Sequence, residues 1–199
     1  MYDFDAGDLS LDFANTKDWH TSEKPIENLN SYADLVTWGE QAGLISPEQS
    51  DQMRRITFEH PEDAVEAIDF AVQVREAIYR VFSHRYMGEP IPEGDLALLN
   101  SVISQALAHL RLTSTGGQIQ WDWAPEISGV NLILWPVARA MADLLTSGEA
   151  SKVRVCEDDR GCGYLFIDET KNHSRRWCSM DSCGNRAKAR RHYSRLQAS

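Results

Sequence analysis

All four cysteines of this 199-residue chain fall between positions 156 and 183, in the pattern Cys156-x5-Cys162-x15-Cys178-x4-Cys183. The opening Met-Tyr-Asp-Phe-Asp is acidic and lacks the basic-then-apolar order of a secretory leader. No run of 18 apolar residues occurs, so no membrane span or membrane partner is expected. The expected location is cytoplasmic, where clustered cysteines hold metal more often than they pair as disulfides. Two close pairs of thiols separated by about fifteen residues match a four-thiolate zinc site. Each pair can come from one tight turn, and Tyr164-Leu165-Phe166-Ile167 offers a strand for the return. Both second cysteines precede a glycine, Gly163 and Gly184, which predicts a knuckle with positive φ at each. The expected cofactor is one structural Zn2+, because protein fills all four positions and leaves none for water or substrate. His173, between the pairs, ranks second as a ligand. Four buried thiols without metal are the competing reading, and their polar surroundings argue against it.

The net charge of −10 divides unevenly. Residues 1–150 carry 24 acidic and 9 basic side chains, a net −15, while residues 151–199 carry 6 and 11, a net +5. A basic tail on an acidic body suggests an anionic partner for the tail alone. The alternative is that the tail pairs with its own acidic body.

Upstream of the cysteines the signals are helical. Ser31 is an N-cap for a helix through Leu35, Val36 and Trp38 that stops at Gly43, and Ser46-Pro47-Glu48 opens another. Pro61-Glu62-Asp63 begins the clearest helix, with Ala64, Ile68, Ala71, Val72, Ile78, Tyr79 and Phe82 on one stripe. A further helix from Pro92 carries Leu96, Leu99, Val102, Ile103, Leu107 and Leu110 toward the core. Thr115-Gly116-Gly117 is a turn, Gln118–Trp123 alternates polar with apolar as a strand, and Leu132–Leu145 reads as a buried helix. Leu9, Leu11 and Phe13 at period two fit either a short strand or a helix start. The predicted fold class is mainly α. A helical N-terminal domain over 1–148 with a short strand or hairpin precedes a small treble-clef-like zinc finger over 149–199, built from two knuckles, a short hairpin and a basic helix.

That last helix follows Cys183. At about 100° per residue, Ala189, Tyr193 and Leu196 share a narrow arc that is expected to dock on the zinc module. Arg186, Lys188, Arg190, Arg191 and Arg195 are expected to face outward, and Arg175 and Arg176 add charge before the second knuckle. Trp177 is expected in the core rather than stacked on a base. Such a helix suits phosphate contact, which makes DNA the expected partner, with RNA open. A solvated basic face or an intrachain clamp is the bland alternative. One finger reads few bases, so a homodimer is expected.

Arg175-Arg176-Trp177-Cys178-Ser179-Met180, followed by Cys183-Gly184-Asn185-Arg186-Ala187-Lys188, resembles the CGNR zinc finger family. Leu11-Asp12-Phe13-Ala14-Asn15-Thr16, Tyr32 with Leu35-Val36-Thr37-Trp38, and Arg75-Glu76-Ala77-Ile78-Tyr79 resemble the ABATE domain, which commonly precedes that finger in bacterial proteins. The resemblance implies that the four cysteines are zinc ligands and that the basic helix contacts DNA. It further implies a role in regulating transcription during a stress response.

If the tail binds DNA, the body is a natural sensor or dimerisation domain. Asp12, Asn15, Thr16 and Trp19 could line a small-molecule pocket, or Asp12 and Asn15 could cap backbone groups. The histidines are scattered, and no His-Glu-x-x-His, phosphate loop or Gly-x-Ser-x-Gly occurs, so no enzyme is expected. A zinc-stabilised protein-interaction or RNA-binding module is the alternative to a DNA-binding regulator.

Overall fold

The computed structural model describes residues 2–124 and 128–197, and the side chains of His192, Arg195 and Gln197 lie outside that description. The chain runs through a short helix α1 (Leu9–Ala14), a two-residue pairing of β1 (Lys17–Asp18) with β2 (Ile26–Glu27), then α2 (Tyr32–Gln41), α3 (Pro47–Glu59) and the long α4 (Pro61–Met87). Helix α5 (Glu93–Ala108), the hairpin of β3 (Leu110–Thr115) and β4 (Gln118–Trp123), and α6 (Asn131–Thr146) complete the body. The C-terminal part holds β5 (Val153–Val155), β6 (Leu165–Ile167), a π-helical turn at Met180–Gly184 and α7 (Asn185–Gln197).

The period-two run at the start is a helix. Asp8 caps it by accepting the Ser10 amide at 2.8 Å. Leu11, Phe13 and Ala14 are all fully buried. A helix enclosed on every side has no polar face, so its period leaves no mark in the sequence. α1 packs between α4 and α6, and Phe13 meets the buried Trp38 of α2 with ring centroids 4.9 Å apart. Ser31 and Ser46 cap α2 and α3 as expected, the latter in a capping box with Gln49. The α4 stripe is buried at Ala64, Ile68, Ala71, Ile78, Tyr79 and Phe82, with Val72 half-buried.

One apolar expectation fails in part, in α5. Leu99 and Val102 are buried, but Leu96 and Leu107 are exposed. β4 is the expected strand, pairing antiparallel with β3 around the expected turn at Gly116–Gly117, and its Ile119 and Trp121 stand exposed, the latter by 53%. Among the described residues the two-stranded ribbon has no second layer over its apolar side, so alternation here does not mean burial.

β5 and β6 pair antiparallel with Arg154 opposite Phe166. Their two faces serve different cores. Val153 and Leu165 join the buried cluster of the helical body, while Phe166 packs with Cys156 and Cys183 in a separate small cluster. The open edge of β6 is covered: Ile167 donates its amide to the Ala6 carbonyl at 2.9 Å. The Asn15 side chain accepts from the Leu165 amide at 2.9 Å and donates to its carbonyl at 2.8 Å. A side-chain amide thus completes the strand's ladder.

Candidate metal centre and basic helix

The thiols of Cys156, Cys162, Cys178 and Cys183 converge, with every sulfur within 4.8 Å of the others. Cys162 and Cys178 lie 3.8 Å apart and Cys178 and Cys183 lie 3.7 Å apart, sulfur to sulfur. A zinc ion with bonds of about 2.3 Å to four thiolates has tetrahedral edges of about 3.8 Å. Soft donors, number and spacing all fit Zn2+. Cys156 arrives at the end of β5, where its amide bonds the Tyr164 carbonyl at 2.9 Å, and Cys162 follows a turn closed by Gly161 onto the Asp158 carbonyl. Cys183 sits in the π-helical turn, whose first residues are capped by Ser179. Cys178 is set by Arg175, which stacks on Phe166 and donates to the carbonyls of Trp177 and Cys178. Arg175 is itself held by the buried Asp168, which accepts its amide at 2.8 Å.

The first knuckle is also gripped by the body. His20 and Thr21 donate their amides to the carbonyls of Cys162 and Gly161 at 3.0 and 3.2 Å, and the Tyr79 hydroxyl donates to Gly163 at 2.9 Å. Gly161 and Gly163 have φ of 85° and 66°. A Cβ on Gly161 would stand 2.5 Å from the Ser22 backbone, and one on Gly163 would stand 2.7 Å from the Tyr79 hydroxyl. The expectation of a positive-φ glycine therefore holds at Gly163. It fails at Gly184, which lies in the helical turn, where a Cβ would meet only the end of the flexible, exposed Met180 side chain, its sulfur at 2.8 Å.

The orientation of α7 departs from the expected one. Arg186 and Arg190 point inward onto Asp158, whose side chain is fully buried. Arg186 Nε reaches Oδ2 at 3.1 Å, Arg190 Nη2 reaches Oδ1 at 2.9 Å, and the Arg160 amide adds a third bond at 3.2 Å. Burial opposes ionisation of Asp158, but these donors hold its carboxyl well below the usual range. Arg186 Nη2 also donates to Cys183 Sγ at 2.8 Å, so one guanidinium links a ligand sulfur to the buried carboxylate. The arc expected to dock is on the surface: Ala189 is exposed, Tyr193 by 65% and Leu196 by 61%. A dianionic four-thiolate centre beside a buried carboxylate demands cations, and that demand outweighs a seam of three apolar residues.

The ABATE family model ("Putative stress-induced transcription regulator") matches residues 7–148, and the CGNR zinc finger model matches residues 152–196. The chain belongs to the ABATE family. Its zinc site is that of a CGNR finger, with the four cysteines as the ligand set. Neither family is an enzyme family. Among curated proteins compared as whole sequences, none matches.

The remaining candidates of the CGNR finger separate into groups. Arg176 pairs with Glu157 at 2.6 Å and lies over the Trp177 ring, which the Arg191 guanidinium also approaches, at 5.8 Å from the centroid. Trp177 packs against the metal cluster. Lys188 and Arg191 are exposed, and the side chain of Arg195 lies outside the described residues. His173 is not among the clustered donors; its Nδ1 meets the Asp168 carbonyl at 2.8 Å.

Within the ABATE part, Asp12, Asn15 and Thr16 line one cavity and Trp19 does not join them. Each of the three has a backbone partner: Asp12 accepts from Ala6, Asn15 holds Leu165, and Thr16 donates to Phe13. Trp19 instead faces the finger, with the Arg160 and Arg186 guanidiniums 5.0 and 5.2 Å from its ring and a backbone φ of 53°. Asp158, Arg160 and the 20–22 segment were not candidates from sequence, and Trp19 was a candidate only for a pocket in the body. The one available signal is the acidic run Glu157-Asp158-Asp159 inside an otherwise basic tail.

Proposed function

We propose that this protein regulates transcription by contacting DNA through the outward arc of α7, with the ABATE body sensing a small molecule or dimerising. The observation that carries the reading is the inward turn of Arg186 and Arg190. With those two committed to Asp158 and the metal centre, Lys188 and Arg191 are the exposed cations of a helix anchored at its N-terminus by Cys183, Arg191 reaching over the Trp177 ring. Position 195 continues the same three-to-four-residue spacing. Arg175 and Arg176 hold the second knuckle and shape this surface rather than lead it.

The test is binding to duplex DNA by fluorescence anisotropy across a salt series. Lys188→Ala with Arg191→Ala should leave zinc content unchanged and reduce the slope of log affinity against log salt by about 2, one for each phosphate no longer neutralised. No affinity at low salt, or an unchanged slope, would remove the proposed face. A second reading, an RNA- or protein-interaction module, is favoured by the exposed Leu196 and Tyr193 side of α7. Competition by single-stranded RNA or by an apolar peptide separates it from the first. A homodimer remains the expected assembly, and the exposed Leu112, Ile119 and Trp121 of the hairpin are its proposed contact.

A further inference from the structure

Between α5 and α6, where the β3–β4 hairpin rises from them, lies a cavity of about 260 Å³. Most of its wall is apolar: Ala106 and Leu107 of α5, Leu110 and Trp121 of the hairpin, and Ala142 of α6. Leu107 and Trp121 are exposed, so this wall leaves apolar surface in water that an occupant would cover. Among the described residues the wall holds one cation, Arg139, and one carboxylate, Asp143. The Arg139 guanidinium stands 5.4 Å from the centre of the Trp121 ring. It makes no hydrogen bond among the described residues, and its ion pair is a long one, from Nε to Asp143 Oδ2 at 3.5 Å. The Asp143 side chain is 72% exposed, so that pair is weak and easily exchanged. Both Nη groups keep their N–H donors unused, beside an aromatic face that helps to orient them.

We propose that this cavity binds a small apolar carboxylic acid, its aromatic or branched body against Leu107, Leu110 and Trp121 and its carboxylate on the Nη groups of Arg139. The apolar body drives water from the slot, and the guanidinium offers a carboxylate two parallel charge-assisted bonds. An alcohol can use only part of that fork, and an ammonium group none of it. The volume lies just below the usual range of pockets for drug-sized ligands, which excludes a nucleotide or a folded peptide. Leu112 pairs with Trp121 across the ribbon, so an occupied slot also steadies the exposed face proposed above for dimerisation. The proposal deepens the sensing role given to the body. It is read without DNA, so its failure would leave the contact of α7 with DNA standing.

The experiment is calorimetric titration of the full zinc-loaded chain with phenylbutanoate, phenylbutanol and phenylbutylamine, which share a ring and chain and differ in the head group. Phenylbutanoate should bind roughly tenfold more tightly than the alcohol, and the amine more weakly than either. Arg139→Gln should abolish the preference for the acid while leaving the alcohol's affinity unchanged, which a collapsed pocket would not do. Asp143→Asn, at an exposed side chain, should tighten phenylbutanoate by about threefold, because it removes a competitor for the guanidinium. Leu107→Glu, also at an exposed position, should weaken the acid more than the alcohol. No heat from any of the three compounds overturns the proposal. Equal binding of acid and alcohol, or binding of the acid unchanged by Arg139→Gln, overturns it too. Binding that disappears as protein concentration rises would also overturn it, in favour of a slot filled by a second copy of the chain.

Discussion

Asp158 sits at the point where metal, helix and body meet, and its loss should be felt at the zinc. Asp158→Asn leaves Arg186 without its anchor, and Arg186→Ala removes the hydrogen bond to Cys183 Sγ. Groups that orient ligands in this way typically contribute 10- to 100-fold in metal affinity. Each variant should lose zinc to a chromophoric chelator at that much lower concentration while keeping the helical circular dichroism of the body. Wild-type retention in both would make the network incidental. Asp12 gives a second prediction. Burial, opposed by the Ala6 amide and aided by Asp5, Asp8 and Asp3, pushes its carboxyl up to about 6. The folded chain therefore keeps a proton that the unfolded chain releases near pH 4. The stability this group contributes is complete below about pH 4 and is lost as pH rises through 6. Asp12→Asn should raise the melting midpoint more at pH 7.5 than at pH 4.5; an equal change at both would contradict the shift. The cysteine ligands were legible because metal chemistry fixes residue type and spacing together. Asp158 was not, because an acidic run reads the same whether it is solvated or buried against guanidiniums.

Among the elements, α7 shows most clearly where pattern reading stops. Its wheel has three apolar residues on one arc, a pattern that predicts burial of that arc. The inward face is instead chosen by charge, since Arg186 and Arg190 are four residues apart and reach one buried carboxylate. α1 is ambiguous in sequence for the opposite reason, being enclosed on all sides. Helices α2, α3 and α4 were readable because the Ser31 and Ser46 caps and the prolines opening α3 and α4 act locally and need no tertiary context. The first knuckle supplies the prediction at this scale. Gly161→Ala would force a Cβ against the Ser22 backbone at a φ of 85°, a strain of about 1–3 kcal/mol. It should lower the denaturant midpoint and weaken zinc binding together. An effect on neither would show that the 19–22 segment yields without cost.

For the whole molecule, the two cores of the β5–β6 hairpin decide how unfolding proceeds. The sequence suggests a helical body with a metal-held appendage, because the charge changes sign near residue 150. Yet Leu165 and Val153 are buried with the helices, and Asn15 and Ala6 hold the edge of β6. Nothing local announces this, since the partners are 150 residues apart. Chelation should therefore shift the entire calorimetric transition to lower temperature as one peak. A low-temperature peak from the finger, followed by an unmoved second peak, would show that the body does not need it. No helix among the described residues is long and apolar enough to cross a membrane.

The double-sided hairpin also bears on how such a protein can be cut and rejoined. A tail excised at residue 150 would carry its ion with it but expose Leu165 to water and leave a strand margin unpaired, an invitation to self-association. Grafting it onto another carrier would succeed only if the recipient brought its own equivalents of Ala6, Asn15 and the Trp19–Ser22 cradle.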